Sequence, residues 1–319
     1  MTFAGSPDRL KARLVPEAGF EFHPYRVSGL PRRPSLELVR ALVTDAKALR
    51  AAGRIVTETN PGVVFGGGGY VAGPIVAAAG RRHIPTALLE SDAHLGLANR
   101  LAAPFARRVF LSFPIEGRDD TKYRVTGRPI PRRSRPPTQE EARTLFRLPL
   151  DGPVLLVFGG SQGARALNEL VMESFGEVGP AVLHLSGDRD YDGLAKRVTR
   201  DDYRLIPFTN EVGSAYAAAD LVLARAGGSV WELAAAGKPA VLVPYPFATA
   251  DHQSKNARFF EQAGGAVCMP ETDLAAVPAL VRSLIDDPER LERMREAMLR
   301  VARPGAAAEI AEELLALAA

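Results

Sequence analysis

Short apolar runs alternate along the chain with stretches whose apolar positions recur at three- and four-residue spacing, which is the grammar of an α/β protein. "PGVVFGG" reads as a strand ending in glycines, and "YVAGPIVAAAGRRH" after it reads as a small-residue helix. "IPTALLES" and "LGLANRLAAPFA" repeat the pair, followed by "RRVFLSF" and "KYRVTGRPI". The pattern restarts with "GPVLLVFGGSQGARALNELV", a strand, glycine turn and helix. "AVLHLSG", "YRLIPFT", "DLVLAR" and "KPAVLVPYP" are further strands, with "EVGSAYAAA" and "SVWELAAAG" as helices among them. From Pro288 onward, "PERLERMREAMLRVA" is helical in its spacing.

Two consecutive units of this kind predict two doubly wound, Rossmann-like α/β domains facing a cleft, with ligands at the carboxyl ends of the strands. The boundary is expected in "GRPIPRRSRPP", Gly127 to Pro137, where prolines forbid ladder bonding and arginines keep the chain wet. The predicted division is residues 1–135, 136–287 and a helical segment 288–319 packing back toward the first domain. The first unit starts late. "MTFAG" reads as a strand with nothing before it, yet the first strand of a doubly wound sheet sits centrally. A central gap in that ladder is therefore expected, or a sheet closed up in a new order.

Composition narrows the class. The chain has 319 residues, 46% of them hydrophobic, enough for two cores, and its single cysteine, Cys268, forbids an internal disulfide. Every apolar run is too short or too interrupted by charge to span a bilayer, and no charged-then-apolar leader opens the sequence. A net charge of +3 hides an asymmetry: residues 1–135 hold 22 Lys and Arg against 11 Asp and Glu, and the remainder 18 against 26. A basic half fits an anionic membrane surface, a phosphorylated substrate or nucleic acid, but no zinc-finger spacing supports the last. The stretch from Val27 to Arg54, with Leu30, Arg32, Arg33, Leu36, Leu38, Arg40 and Leu42, reads as an interfacial helix or as ordinary packing on the sheet.

Three glycine turns follow strands: "FGGGGY", "FGGSQG" and "RAGGS". None is a dinucleotide fingerprint or a P-loop. Glycine lets backbone approach a ligand, and helix amides favour phosphate oxygens, so Gly160, Ser161 and Gln162 are phosphate-binding candidates; alternatively Ser161 caps its helix. Glu232 is the one acid in a run of glycine, alanine and valine. Ser229 three residues before it completes a capping-box spacing, with Gly237 to stop the helix; the other reading is a carboxylate accepting ligand hydroxyls. "LLESDAHLG" puts Glu90, Asp92 and His94 on one strand-end loop, where Glu90 and His94 are weak catalytic candidates. Gln253, in "DHQSKNARFFEQAG", belongs to a polar cluster suited to sugars. The five histidines are scattered and the cysteine is alone, so neither a metal site nor a cofactor is expected.

The ordered set "GGSQGARALNE", "FTNEVGSAYAAADLVLARAGGSVWELAAAGKPAVLVPYP" and "DHQSKNARFFEQAGGA" resembles the cytoplasmic peptidoglycan glycosyltransferases, and "GGGGYVAGPIVAAA" with "LANRLAAPFA" extends the likeness over essentially the whole chain. The resemblance implies transfer of N-acetylglucosamine from its UDP sugar to lipid-linked N-acetylmuramoyl-pentapeptide, lipid I, at the cytoplasmic face of a membrane. It assigns Glu232 to the ribose hydroxyls, Ser161 to the diphosphate, the backbone at Thr209 to the uracil edge and Gln253 to the sugar. Gly227, Gly228 and Ser229 line the third turn, which is one residue shorter than the family's usual form. Asp92 stands where that family has an asparagine, and "GRPIPR" replaces a Gly-Asn-Pro-Val-Arg run, adding Arg128 and moving the last arginine to Arg132. The family's first glycine loop and its general-base histidine have no counterpart here. The resemblance expects them on a strand and helix preceding Met1, so that transfer by residues 1–319 alone is expected to be very low. The same residues leave two other readings open: another UDP-sugar enzyme, such as a glycolipid glycosyltransferase or an epimerase, or a non-catalytic nucleotide-sugar binding protein.

Overall fold

The computed structural model describes residues 1–8, 10–28, 36–118, 120–160 and 163–319, with backbone alone for 36–43. Two compact units divide it: residues 1–127 with 307–319, and residues 128–306. The division falls after Gly127, earlier than the expected 135. The division thus lies at the start of the expected Gly127–Pro137 segment; residues 131–133 and 135–137 are exposed as expected, while Ser134 between them is buried in the second unit.

The first unit contains β1 (Thr2–Gly5), α1 (Lys11–Glu17), β2 (Glu21–Pro24), α2 (Leu36–Thr59), β3 (Val64–Gly66), α3 (Ala72–Gly80), β4 (Thr86–Glu90), α4 (Leu97–Ala102), β5 (Arg108–Leu111) and β6 (Tyr123–Val125). All pairings are parallel, but they form two sheets: β1 with β2, and β3-β4-β5-β6. Among the described residues no ladder joins β1 to β3, and the expected break is there. Alanine on facing helices lets α2 and α3 close on each other through Ala52, Val56, Ala78 and Ala79. Tyr25, just after β2, donates its hydroxyl to the Val71 carbonyl ahead of α3.

The second unit runs α5 (Gln139–Phe146), β7 (Val154–Phe158), α6 (Arg165–Phe175), β8 (Ala181–Leu185), α7 (Asp188–Ala195), β9 (Tyr203–Ile206), α8 (Val212–Ala218), β10 (Leu221–Ala224), α9 (Val230–Ala235), β11 (Ala240–Leu242), α10 (His252–Gln262), β12 (Ala266–Cys268), α11 (Val277–Ile285) and α12 (Pro288–Val301). Its sheet is continuous and parallel, in the order β12-β11-β10-β7-β8-β9. Covered on both faces, β7 and β10 are apolar at every position and fully buried, as parallel strands require. The segment expected as one helical tail is divided: α12 stays with the second unit, while α13 (Ala306–Ala318) belongs to the first from Ala307 on. There Ile310 packs on Ala87, Leu89 and Phe110, and Glu313 pairs with Arg108 at 3.1 Å and with Arg124.

Candidate functional site

In the second unit the chain moves outward through β8 and β9, then returns to build β10 on the other side of β7. Adjacent strands whose following loops diverge open a crevice at their carboxyl ends, where such sheets bind ligands. The glycine turn after β7 and the turn after β10 flank it. Gly160 adopts φ +91 with open space where a side chain would point, and the Gly163 amide closes a turn onto its carbonyl at 2.9 Å. A Cβ on Gly163 would lie 2.1 Å from the Ser186 carbonyl, so only glycine lets this loop rest on the end of β8. Ser161 and Gln162 lie outside the described residues. Helix α6 follows Ala164, which offers no side-chain cap, so its first-turn amides are available to an anion.

The floor beneath that loop is a buried polar chain. Asn168 donates to the Ser186 carbonyl and to Asp190, both at 2.9 Å, and its oxygen meets His184 Nε2 at 2.9 Å. Tyr203 meets the other ring nitrogen at 2.8 Å. Burial pushes His184 down to about 4, against the pull of Asp190, so the ring is neutral at ordinary pH.

Glu232 does not make the capping box its spacing predicts. Ser229 sits at φ −63, ψ −17, already helical, and makes no side-chain cap. The half-buried carboxylate instead accepts the Ser134 hydroxyl at 2.7 Å and the Tyr216 hydroxyl at 3.1 Å, both on Oε2. Burial, reinforced by the neighbouring Glu232 charge, raises the Tyr216 phenol far above its usual range and keeps it a donor. Gly237, at φ +61, does end α9 as expected. Arg128 covers Gly228: a Cβ there would fall 1.9 Å from its guanidinium, which ties these two candidates together. Asn256 donates to the Ala226 carbonyl at 3.2 Å and fastens α10 to the same turn.

Gln253 accepts the Tyr245 amide at 2.9 Å through its oxygen, which turns its NH₂ group into the remaining hydrogen-bonding end. Thr209 follows β9, and its hydroxyl accepts the Glu211 amide at 3.0 Å. Arg132 is exposed on a short 3-10 turn, Arg132–Ser134. Three residues carry structure that sequence reasoning passed over. Ser134 and Tyr216 orient Glu232. Arg225, buried, binds the Val243 and Pro244 carbonyls, pairs with Glu271 and lies over the Tyr245 ring. No spacing rule links Ser134 or Tyr216 to Glu232, since they meet it only in the fold.

In the first unit, Glu90 ends β4 and is committed to its own loop. Its oxygens accept the Gly96 amide at 2.9 Å, the Asn99 side chain at 2.8 Å and the Asp92 amide at 3.3 Å. That network shapes the loop holding Asp92 and His94, both half-buried, and makes Glu90 an anchor. Gly68, at φ +90, brings the first glycine turn against the Leu89 carbonyl beside it. Bordered by α2, α3 and α4 lies a largely apolar groove of about 460 Å³, lined by Leu49, Tyr70, Pro74, Leu97, Leu101 and Phe105, with one acid, Asp45, and one base, Arg81, among its lining residues. Leu97 and Leu101 are exposed there, and Arg81 stacks over Phe105. Leu30, Arg32 and Arg33 lie outside the described residues, as do the side chains of Leu36, Leu38, Arg40 and Leu42. No group of three potential metal ligands occurs among the described residues, and none of their helices is long and apolar enough to cross a membrane.

Residues 2–111 match the glycosyltransferase family 28 N-terminal domain, and residues 154–313 match its C-terminal domain. A UDP-N-acetylglucosamine--N-acetylmuramyl-(pentapeptide) pyrophosphoryl-undecaprenol N-acetylglucosamine transferase of Salinibacter ruber is 41% identical over 328 residues, covering 100% of this chain and 88% of the relative. The protein of the same name from Halothermothrix orenii is 36% identical, covering 95% and 87%. Among solved structures, MurG of Acinetobacter baumannii superposes with a TM-score of 0.76 at 25% identity, covering 98% of this chain and 90% of that one. A UDP-GlcNAc 2-epimerase from Neisseria meningitidis, solved with UDP-GlcNAc, shares the fold at 13% identity and a TM-score of 0.65.

Proposed function

The chain belongs to glycosyltransferase family 28, and from that premise we propose that it transfers N-acetylglucosamine from UDP-N-acetylglucosamine to lipid-linked N-acetylmuramoyl-pentapeptide, turning lipid I into lipid II. The observation that carries the reading is the set of ligand-ready groups at one end of the second sheet. To these groups we assign the parts of the donor: the diphosphate to Gly160 and the start of α6, the ribose to Glu232, the uracil to the Thr209 backbone, and the sugar to Gln253. Ser161 and Gln162, between Gly160 and Gly163 in sequence, are assigned to the diphosphate with them. Arg128, seated on the third turn, adds positive charge near the leaving UDP. The acceptor hydroxyl attacks the anomeric carbon from the face opposite UDP, in one displacement with inversion and no covalent intermediate. The bond to UDP breaks, fixed donors stabilise the departing diphosphate, and the hydroxyl proton passes to a general base.

The first unit takes the acceptor. Its largely apolar groove, bordered by α2, α3 and α4, suits a polyprenyl chain, and the basic character of residues 1–135 suits peripheral attachment to an anionic inner membrane face. Asp92 and Arg132 are assigned to acceptor and diphosphate contacts on sequence resemblance. The epimerase reading needs carboxylates free to act close to the donor sugar; among the described residues of this crevice Glu232 is bonded to two hydroxyls, Asp190 to Asn168 and Arg189, and Glu271 to Arg225.

The test is transfer of labelled N-acetylglucosamine by the protein to lipid I in vesicles, with and without anionic lipid. A labelled lipid product, formed faster on anionic vesicles at low salt, is expected. Donor binding without any labelled lipid would remove the transferase reading. Equal rates on neutral and anionic vesicles would remove the membrane one.

A further inference from the structure

We propose that Tyr216 and Ser134 are positioning residues for nucleotide recognition: their hydroxyls, converging on one oxygen of Glu232, hold the carboxylate so that its other oxygen meets the ribose hydroxyls. The inference rests on the donor reading above and adds how the ribose contact is prepared. Helix α9 is only six residues long, and Ser229 gives the carboxylate of Glu232 no cap. A glutamate there has freely rotating bonds unless something outside the helix fixes it. Two buried donors from different parts of the chain do so, Tyr216 from α8 and Ser134 from the 3-10 turn Arg132–Ser134. Their meeting is enforced by packing. Gly213, in the first turn of α8, lies so close under the segment before α5 that a Cβ would come within 2.3 Å of the Arg135 carbonyl and 2.9 Å of the Arg133 carbonyl. That close seat brings Ser134 and Tyr216 to the same carboxylate.

A carboxylate has about four acceptor sites, and the two hydroxyls occupy those of Oε2, so Oε1 keeps its own for a ligand. Vicinal hydroxyls of a ribose are the donors this leaves room for. Fixing a long side chain before the ligand arrives removes an ordering cost otherwise charged to binding, a factor of about three to ten in affinity.

The experiment titrates the full chain with UDP and with 2′,3′-dideoxyuridine diphosphate, comparing the parent with Tyr216→Phe, Ser134→Ala and the double variant. The parent is expected to prefer UDP. Each single variant should weaken UDP binding by about three- to tenfold and leave the dideoxy nucleotide unchanged, so the preference shrinks. Because the readout is a ratio between two ligands, a partly unfolded sample does not imitate it. Equal losses for both nucleotides, or none for either, overturn the positioning role while the ribose contact stands. A parent that binds both nucleotides equally overturns the ribose contact itself, and the positioning role with it.

Discussion

Two places in the second unit carry the same four-residue spacing, "TQEE" at Thr138–Glu141 and "SVWE" at Ser229–Glu232, and the fold uses them in opposite ways. At the start of α5, Thr138 is extended, φ −66 and ψ 153, so its side chain arches back to accept the Glu141 amide at 3.3 Å. Glu141 returns the contact to the Thr138 amide at 3.1 Å, closing a capping box at an exposed helix end. At the start of α9, Ser229 is already helical, and the Glu232 amide bonds the Ser229 carbonyl at 2.9 Å. With its own amide satisfied by backbone, Glu232 has no capping to do, and its carboxylate turns to Ser134 and Tyr216. Spacing proposes a cap, but the dihedral angle of the first residue decides it.

The largest effect that would break this contrast is on stability at Glu232. Truncation to alanine leaves the buried Ser134 and Tyr216 hydroxyls without their acceptor, at about 1–3 kcal/mol each. A fall in melting temperature of roughly 5–20 °C is expected by calorimetry for a unit of this size. A melting curve matching the parent would mean that these hydroxyls do not depend on Glu232.

A smaller effect belongs to the other motif. Thr138→Ala should cost about 1 kcal/mol of cap, or roughly 2–4 °C, and leave nucleotide binding untouched. The pH dependence sharpens it. The hydrogen bonds from Thr138 hold the Glu141 carboxyl below its usual range. Its folded pKa is therefore lower than its unfolded one, and the contribution is complete above the ordinary glutamate value. It disappears as pH falls through the folded value. Melting temperatures of parent and Glu141→Gln should converge on acidification; a gap that stays constant with pH would contradict the box.

Much of the architecture was legible because parallel strands buried on both faces must be apolar throughout, as "VLLVF" and the "LVLA" within "DLVLAR" are, and because glycines at strand ends mark where the backbone turns sharply. The first unit's strands form two separate sheets, β1 with β2 and β3 to β6, the break in its ladder that was expected. The domain boundary falls at the start of the expected Gly127–Pro137 segment, and most of its residues from 131 to 137 are exposed as its prolines and arginines suggest; what they did not announce is one residue that packs inward. Gly213 makes room for that segment, and Ser134 is buried in it. The position of several candidate residues was legible because they follow strands directly: Gly160 after β7, Thr209 after β9, Gly228 and Glu232 after β10. What holds Glu232 was not. Ser134 is 98 residues from Glu232 in sequence and Tyr216 is 16, and only the packing of α8 brings the three together. Glu90, a catalytic candidate by its loop, turned out to be the loop's anchor because three donors close around it.

The central claim is that Glu232 is kept for a ligand while Glu141 is spent on a helix end. Its most direct test is a calorimetric titration with UDP of the parent, Glu232→Ala and Glu141→Ala, all below their melting temperatures. Charge-assisted bonds to ribose are worth about 1.5–3 kcal/mol, so Glu232→Ala should bind UDP roughly ten- to a hundredfold more weakly, with Glu141→Ala indistinguishable from the parent. A Glu232→Ala protein that is folded and binds UDP as tightly as the parent would contradict the account.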